Sequence, residues 1–488
     1  MCQDAGSPPV LEATNAVTLQ NPAILQDWIR EALRLHQAGQ FAEADRLYRQ
    51  ILAIDPRHAD ALHLTGMIAF QTGRTEEAVA WIGKAIAIKP DAPSYHSNLG
   101  NVFQAQGRLA EAGASYQRAL LLKPDLAEIH LNLGNIFREL ADLESALACF
   151  RRAQALKPAL SEADVGESMV LLLQGDFASG WQKFERRWET TDYDTPMRVY
   201  PVPQWQGERL TAGRVLIWGE QGIGDEIMFA GLILDVLRSG NACVLDCSER
   251  LKPLFARSFP GAEVASGVDA GGLSALGIAA HRPSGGLPGL FRNTNAAFRS
   301  TQSPYLVACP ATQDEFRRRY ADGRKLVGIA WQTKNHKTGA CRSIALSLLA
   351  PLFAIPGIRW VSLQYGDFDD LEHQAEAASA PILSDREVDQ LADIDRFAAQ
   401  VAAMDLVITI DNSTAHLAGA LGVPTWVLLP FAPDWRWQTA RTDCPWYPAM
   451  RLFRQAVRGD WSFVVRAIED ALTGFPAVEN AAGTMQRE

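Results

Sequence analysis

Two short segments place acidic, hydroxyl and amide groups where a ligand can reach them. In "WGEQGIGDEIMF" a glycine-rich loop, Gly219–Gly224, leads into Asp225. Glycine lets a ligand approach the backbone closely. Asp225 falls at a helix start, where a carboxylate either caps the helix or takes a proton as a general base. The glycines read G-x-x-G-x-G, which is not the dinucleotide spacing, and the Lys-Ser/Thr of a P-loop is missing. In "DLVITIDNSTAHLAGALG" the residues Asp411-Asn412-Ser413-Thr414 end an apolar run, and a helix begins at once. Free N–H groups and the dipole at a helix start suit a diphosphate. Ser413 and Thr414 add hydroxyl donors. The alternative is an N-cap cluster that serves only its own helix. A third, polar stretch holds Gln332, Lys334, His336, Lys337 and Arg342. The triplets 192–194 (DYD) and 367–369 (DFD) look like a metal-binding D-x-D but read as solvated turns. No metal is expected.

These segments need strands behind them. Val215–Trp218 reads as a strand, and an amphipathic helix follows from about Asp225 to Arg238. That is the first βα unit of a doubly wound α/β domain. A second α/β half begins with strand Leu326–Trp331 and continues with a strand in 358–366. Strand Leu406–Ile410, helix Ala415–Leu421 and strand Thr425–Leu429 complete the pattern. Open α/β sheets bind ligands outside the carboxyl ends of their strands, where all three polar segments fall. The first half, about 211–305, is short, and its middle, "ASGVDAGGLSALGIAAHRPSGG", reads as glycine-rich and degenerate. His281 within it is a second candidate base. Residues 192–213 break all periodicity and read as a linker, with Trp205 as a packing anchor.

The N-terminal third repeats. Pro56, Pro90, Pro124 and Pro158 are 34 apart, as are Gly39, Gly73, Gly107, Ala141 and Gly175. Ala44, Ala78, Ala112 and Ala146, and Gly66, Gly100 and Gly134, keep the same step. Small residues let two antiparallel helices approach, glycine makes the turn, and proline stops each unit. This resembles the tetratricopeptide repeat. Repeats fall at 25–58, 59–92, 93–126 and 127–160, with a degenerate fifth at 161–194. In the fifth, Trp181, Phe184 and Trp188 share one helical face and are expected to pack on the next domain. Asn98 and Asn132 lie one period apart at the concave register, and Leu64 precedes them. An asparagine there can pair with a bound peptide backbone, or can simply hold the helix pair.

Composition sets the outer limits. The chain has 488 residues, 48% hydrophobic and 21% charged, which excludes a mostly disordered chain. Lys plus Arg is 46 and Asp plus Glu is 56, a net charge of −10, which argues against a dedicated nucleic-acid binder. Seven scattered cysteines with no C-x-x-C pair read as free thiols. No signal peptide and no run long enough to span a membrane is visible, so a cytoplasmic location is expected.

Residues 211–470 resemble the heptosyltransferase-like glycosyltransferases, which have the GT-B fold of two Rossmann-like domains. The matching strings are "GEQGIGDEIMFA", "GIAWQTKNHKTGACRSIAL", "VSLQYGD", "DNSTAHLAGALGVPTWVLLPFAPDWRW" and "CPWYPAMRLFRQ". With the repeats, the chain looks more like bacterial tetratricopeptide-repeat glycosyltransferases, some of which modify proteins such as flagellin. The asparagines are similar to those lining the repeats of protein O-GlcNAc transferases. The implied layout is a tail 1–24, solenoid 25–194, linker 195–213, acceptor domain 214–310, nucleotide-sugar domain 311–475 and tail 476–488. The resemblance implies a nucleotide-sugar co-substrate, no cofactor or metal, and Asp225 as catalytic base. It implies donor contacts from Gly222, Gly224, Gln332, Lys337, Arg342, Gln364, Asp411, Ser413, Thr414, Ala415 and His416. His416 is expected to contribute its backbone N–H more than its ring. Asn98 and Asn132 would bind an acceptor protein. The family's D-T/S-x-x-A/T-H-L reads "DNSTAHL" here.

Overall fold

The computed structural model describes residues 22–191, 193–300, 303–335, 338–439 and 441–475. They divide into two compact units, one up to Gly166 and one from Glu167 onward.

The first unit is helical. Its helices are α1 (Pro22–Gln37), α2 (Phe41–Ile54), α3 (Ala59–Gln71), α4 (Thr75–Ile88), α5 (Pro93–Ala105), α6 (Leu109–Leu122), α7 (Ala127–Glu139) and α8 (Leu143–Leu156). Each pair matches one 34-residue repeat. The turn inside each pair is left-handed: φ is +77° at Gly39, +80° at Gly73, +72° at Gly107 and +60° at Ala141. Ala141 takes up the strain that glycine avoids at the other turns. Ala44, Ala78, Ala112 and Ala146 are fully buried between the helices. A Cβ on Gly134 would lie 2.7 Å from the Phe150 ring, so the α7–α8 approach requires glycine.

The expected solenoid boundary at 194 moves. Helices α9 (Ser161–Gln174) and α10 (Phe177–Phe184) follow, with a 3₁₀ turn at Glu185–Glu189. From Glu167 on, this segment belongs to the second unit. The reason is its aromatic face. Trp181 Nε1 donates to the Arg292 carbonyl at 3.0 Å. Its ring meets Trp435 edge-on at 5.1 Å.

Two parallel sheets form the rest. The first holds β1 (Arg214–Trp218), β2 (Cys243–Asp246), β3 (Ala262–Ala265) and β4 (Ile278–Pro283), in the order β3-β2-β1-β4. The second holds β5 (Lys325–Ala330), β6 (Ile358–Ser362), β7 (Ile382–Leu383), β8 (Leu406–Ile410), β9 (Thr425–Leu429) and β10 (Met450–Arg454). Its order is β10-β9-β8-β5-β6-β7. Each order reverses once, between β1 and β4 and between β5 and β8, as in doubly wound α/β sheets. The glycine-rich middle of the first half thus contributes strand β4 to the sheet, reached by turns over 266–277. The stretch before β1 is not a free linker. Trp205 is fully buried, its N–H donates to the His281 carbonyl at 2.8 Å, and Gln204 bridges to β4.

Candidate functional site

A cleft of about 760 Å³ opens at the carboxyl ends of β1, β5 and β8. Gln221–Asp225 line one side, and Thr333, Asn335, Arg342, Asp411–Ser413 and Asp434–Arg436 the other. Both crossover points of the two sheets therefore face one space.

Asp225 sits on the third residue of helix Ile223–Ala230, whose N-cap is Gly222. Its Oδ2 accepts the Gly222 N–H at 3.3 Å, and its Oδ1 pairs with Arg436. The side chain caps the helix and still reaches the cleft. Gly224 lines the cleft and also serves helix packing. A Cβ there would lie 3.1 Å from His416 Cδ2 and 3.6 Å from Ser413 Cα. Glycine lets helix Ile223–Ala230 cross helix Ser413–Ala420 at backbone distance.

Carboxylates and guanidiniums alternate along the cleft floor. Arg436 bridges Asp225 and Asp434, the latter at 2.6 Å. Arg342 lies 3.7 Å from Asp434 and 3.4 Å from Asp411. Burial works against the charge on Arg436, but Asp225 and Asp434 outweigh it and raise its pKa. The same balance, with Asp411 and Asp434, raises that of Arg342. Burial, reinforced by Asp434, lifts Asp411 above the usual carboxylate range despite Arg342. Asp434 goes the other way: burial resists, and Arg436 and Arg342 hold it down.

The helix start after β8 is only partly open. Asn412 Oδ1 accepts the Ala415 N–H at 3.2 Å and the Thr409 hydroxyl at 3.0 Å. The Ala415 amide, expected on the diphosphate, is therefore engaged. Thr414 is fully buried, whereas Ser413 lines the cleft. His416 borders the cleft, but its ring is built into the core. Nδ1 lies 2.9 Å from the Tyr447 hydroxyl, and the ring stacks on Trp437 at 5.3 Å. Burial lowers its pKa to about 3, so the ring is neutral.

Gln364 is a correction. It is fully buried. Its Oε1 accepts the N–H groups of Trp331 and Gln332 at 2.9 Å each. Its Nε2 donates to the carbonyls of Gln332 and Tyr365 at 3.1 and 2.9 Å. With its amide saturated, it clamps the loop and has nothing to offer a nucleotide. Gln332 is half-buried behind Thr333 and Asn335, which take the lining positions. Lys337 and His336 lie outside the described residues. His281 is buried in β4 and accepts from Trp218 Nε1 at 3.2 Å, away from the cleft. Of the D-x-D triplets, Asp367 caps helix Phe368–Ala377 and Asp369 pairs with Arg386. Asp192 lies outside the described residues.

In the first unit, Asn98 Nδ2 lies 2.8 Å from His63 Nε2, and Asn132 Nδ2 donates to Asn101 Oδ1 at 3.3 Å. Both asparagines link neighbouring repeats. Asn98 also borders a groove of about 380 Å³ with Lys123, Leu126 and Glu128.

Three segments match tetratricopeptide-repeat family models: residues 35–100, 100–140 and 127–160. The first unit consists of tetratricopeptide repeats. The chain is 31% identical over 329 residues to Protein FlbA of Caulobacter vibrioides, covering 63% of this chain and 54% of that protein. It thus spans about half the length of that relative. Among solved structures, MamA is 19% identical with a TM-score of 0.31, covering 32% of this chain and 91% of its own. YrrB, a TPR protein with an unusual peptide-binding site, is 19% identical with a TM-score of 0.30, covering 33% and 82%.

Beyond the tetratricopeptide repeats, sequence reasoning missed Arg436 and Asp434. Both stand in the "PDWRW" string, where the acid–base alternation was the available signal. It also missed the buried pair Arg187 and Glu220, which lacks any local signature.

Proposed function

We propose that the second unit is a metal-independent GT-B glycosyltransferase of the heptosyltransferase-like kind. It moves a sugar from a nucleotide-sugar to an acceptor hydroxyl, and the acceptor is Ser or Thr of a protein recruited by the tetratricopeptide repeats. One observation carries the reading: the loop of Asp225 and the helix start at Ser413 abut across one cleft, at the crossover points of two parallel sheets. In the reaction, the acceptor oxygen bonds to the anomeric carbon while the bond from that carbon to the phosphate oxygen breaks. Asp225 takes the hydroxyl proton. The leaving diphosphate carries the electron pair away. The Ser413 end of the helix, Arg342 and Arg436 stabilise its growing charge. A flagellin-type acceptor fits this reading. Among the described residues no helix is long and apolar enough to cross a membrane.

Thermal-shift screening against a panel of nucleotide-sugars tests the donor class, because a ligand that binds only the folded state raises the melting temperature. Asp225→Asn is expected to keep that shift while transfer falls by roughly 10²- to 10⁴-fold. Full transfer by this variant refutes the base assignment. Absence of any shift in the wild type refutes the donor class.

A further inference from the structure

The loop that carries Asp225 is not held by its own sheet alone. Glu220, within that loop, and Arg187, in the 3₁₀ turn after α10, both have side chains 0% exposed. Arg187 Nε and Nη2 each donate to Glu220 at 3.0 Å, a bidentate fork. The Tyr193 hydroxyl donates to Oε2 at 2.6 Å, and the Gly285 N–H to Oε1 at 2.5 Å. A Cβ on Gly285 would lie 2.1 Å from Oε1, so the turn after β4 is bare where the carboxylate enters. One residue on, the Gln221 N–H donates to Thr195 Oγ1 at 2.7 Å. The guanidinium lies over the Phe184 and Trp188 rings at 4.4 and 4.5 Å. Three segments distant in sequence, around Arg187 and Tyr193, Glu220 and Gly285, thus meet on one carboxylate. Neither Glu220 nor Arg187 lines the cleft, whereas Gln221, Gly222 and Asp225 do.

A buried ion pair adds little net stability over a well-packed apolar pair. A bidentate pair does impose geometry. We infer that Arg187 and Glu220 are positioning residues: the segment following the last repeat sets the loop that aims Asp225 at the acceptor hydroxyl. This rests on the reading of Asp225 as the base. It makes Arg187, Tyr193 and Thr195 supports of the catalytic loop instead of parts of a spacer.

Three full-length variants test it: Arg187→Lys, Glu220→Gln and the double Arg187→Met/Glu220→Met. The lysine keeps the charge and loses the fork. The double variant removes both charges but leaves the Tyr193 hydroxyl and the Gly285 N–H without their acceptor. It is therefore expected to fold with a melting temperature lowered by several degrees, while Glu220→Gln keeps an acceptor oxygen there. A misplacement of about 1 Å costs roughly 10²-fold, so kcat should fall by about that factor while the donor KM stays within about two-fold. Hydrogen exchange at amides 221–225 should quicken, with that of helix Ser413–Ala420 unchanged. Wild-type kcat in a folded variant, or unchanged exchange of the loop, overturns the inference. If the wild type transfers no sugar from any nucleotide-sugar, the glycosyltransferase reading falls, and loop exchange alone then decides the positioning role.

Discussion

Arg436 holds two carboxylates at once, Asp225 and Asp434, and in the proposed reaction a diphosphate would compete with both. Arg436→Met is expected to reduce the thermal shift given by a nucleotide-sugar and to lower kcat by roughly 10²-fold or more. Equal donor shifts in variant and wild type would remove Arg436 from the donor site. His416 gives a second, pH-based expectation. Its folded pKa is about 3, below the unfolded value near 6.5. The unfolded chain therefore binds the extra proton between those values, and stability falls as pH drops below about 6.5. At pH 5 the loss from this residue is about 2 kcal/mol. Chemical denaturation from pH 7 to 4 should show it, and His416→Gln should flatten the slope. Asp225 was legible at this scale because glycine, carboxylate and helix start are adjacent in sequence. The roles of Gln364 and Thr414 were not, because exposure depends on what packs above a side chain.

Helix contacts set the next scale. A Cβ on Gly134 meets the Phe150 ring at 2.7 Å, while one on Gly113 meets nothing closer than Ile136 at 3.5 Å. Gly134→Ala is therefore expected to destabilise the repeats by about 1–3 kcal/mol. Gly113→Ala, in the interior of α6, should be neutral or stabilising by up to about 1 kcal/mol. Paired urea melts decide between them, and equal effects would contradict the packing described. The turn after β4 makes the same point. Its glycines read as degeneracy in the sequence, yet Gly285 is required by the Glu220 carboxylate lodged against it. The repeat pairs themselves were legible because a 34-residue period writes the same steric demand four times.

At the scale of the whole molecule, the second unit begins at Glu167, inside what the repeat pattern assigns to the solenoid. Residues 167–488 alone are expected to melt cooperatively, whereas residues 196–488 lose Trp181 and Arg187 and should melt far lower or not fold. Calorimetry of both fragments tests this, and equal melting temperatures would refute the shifted boundary. By itself the sequence determined the repeats, the strands β1, β5, β6, β8 and β9, and the loops bearing Asp225 and Ser413. Each is written in residues close along the chain, where hydrophobic period, glycine and proline act locally. Only the tertiary structure decided that Asp225 meets Arg436, 211 residues away, and that Glu220 meets Arg187 across 33 residues. Pairing of side chains across such separations follows from how the sheets and helices pack, and no local pattern encodes it.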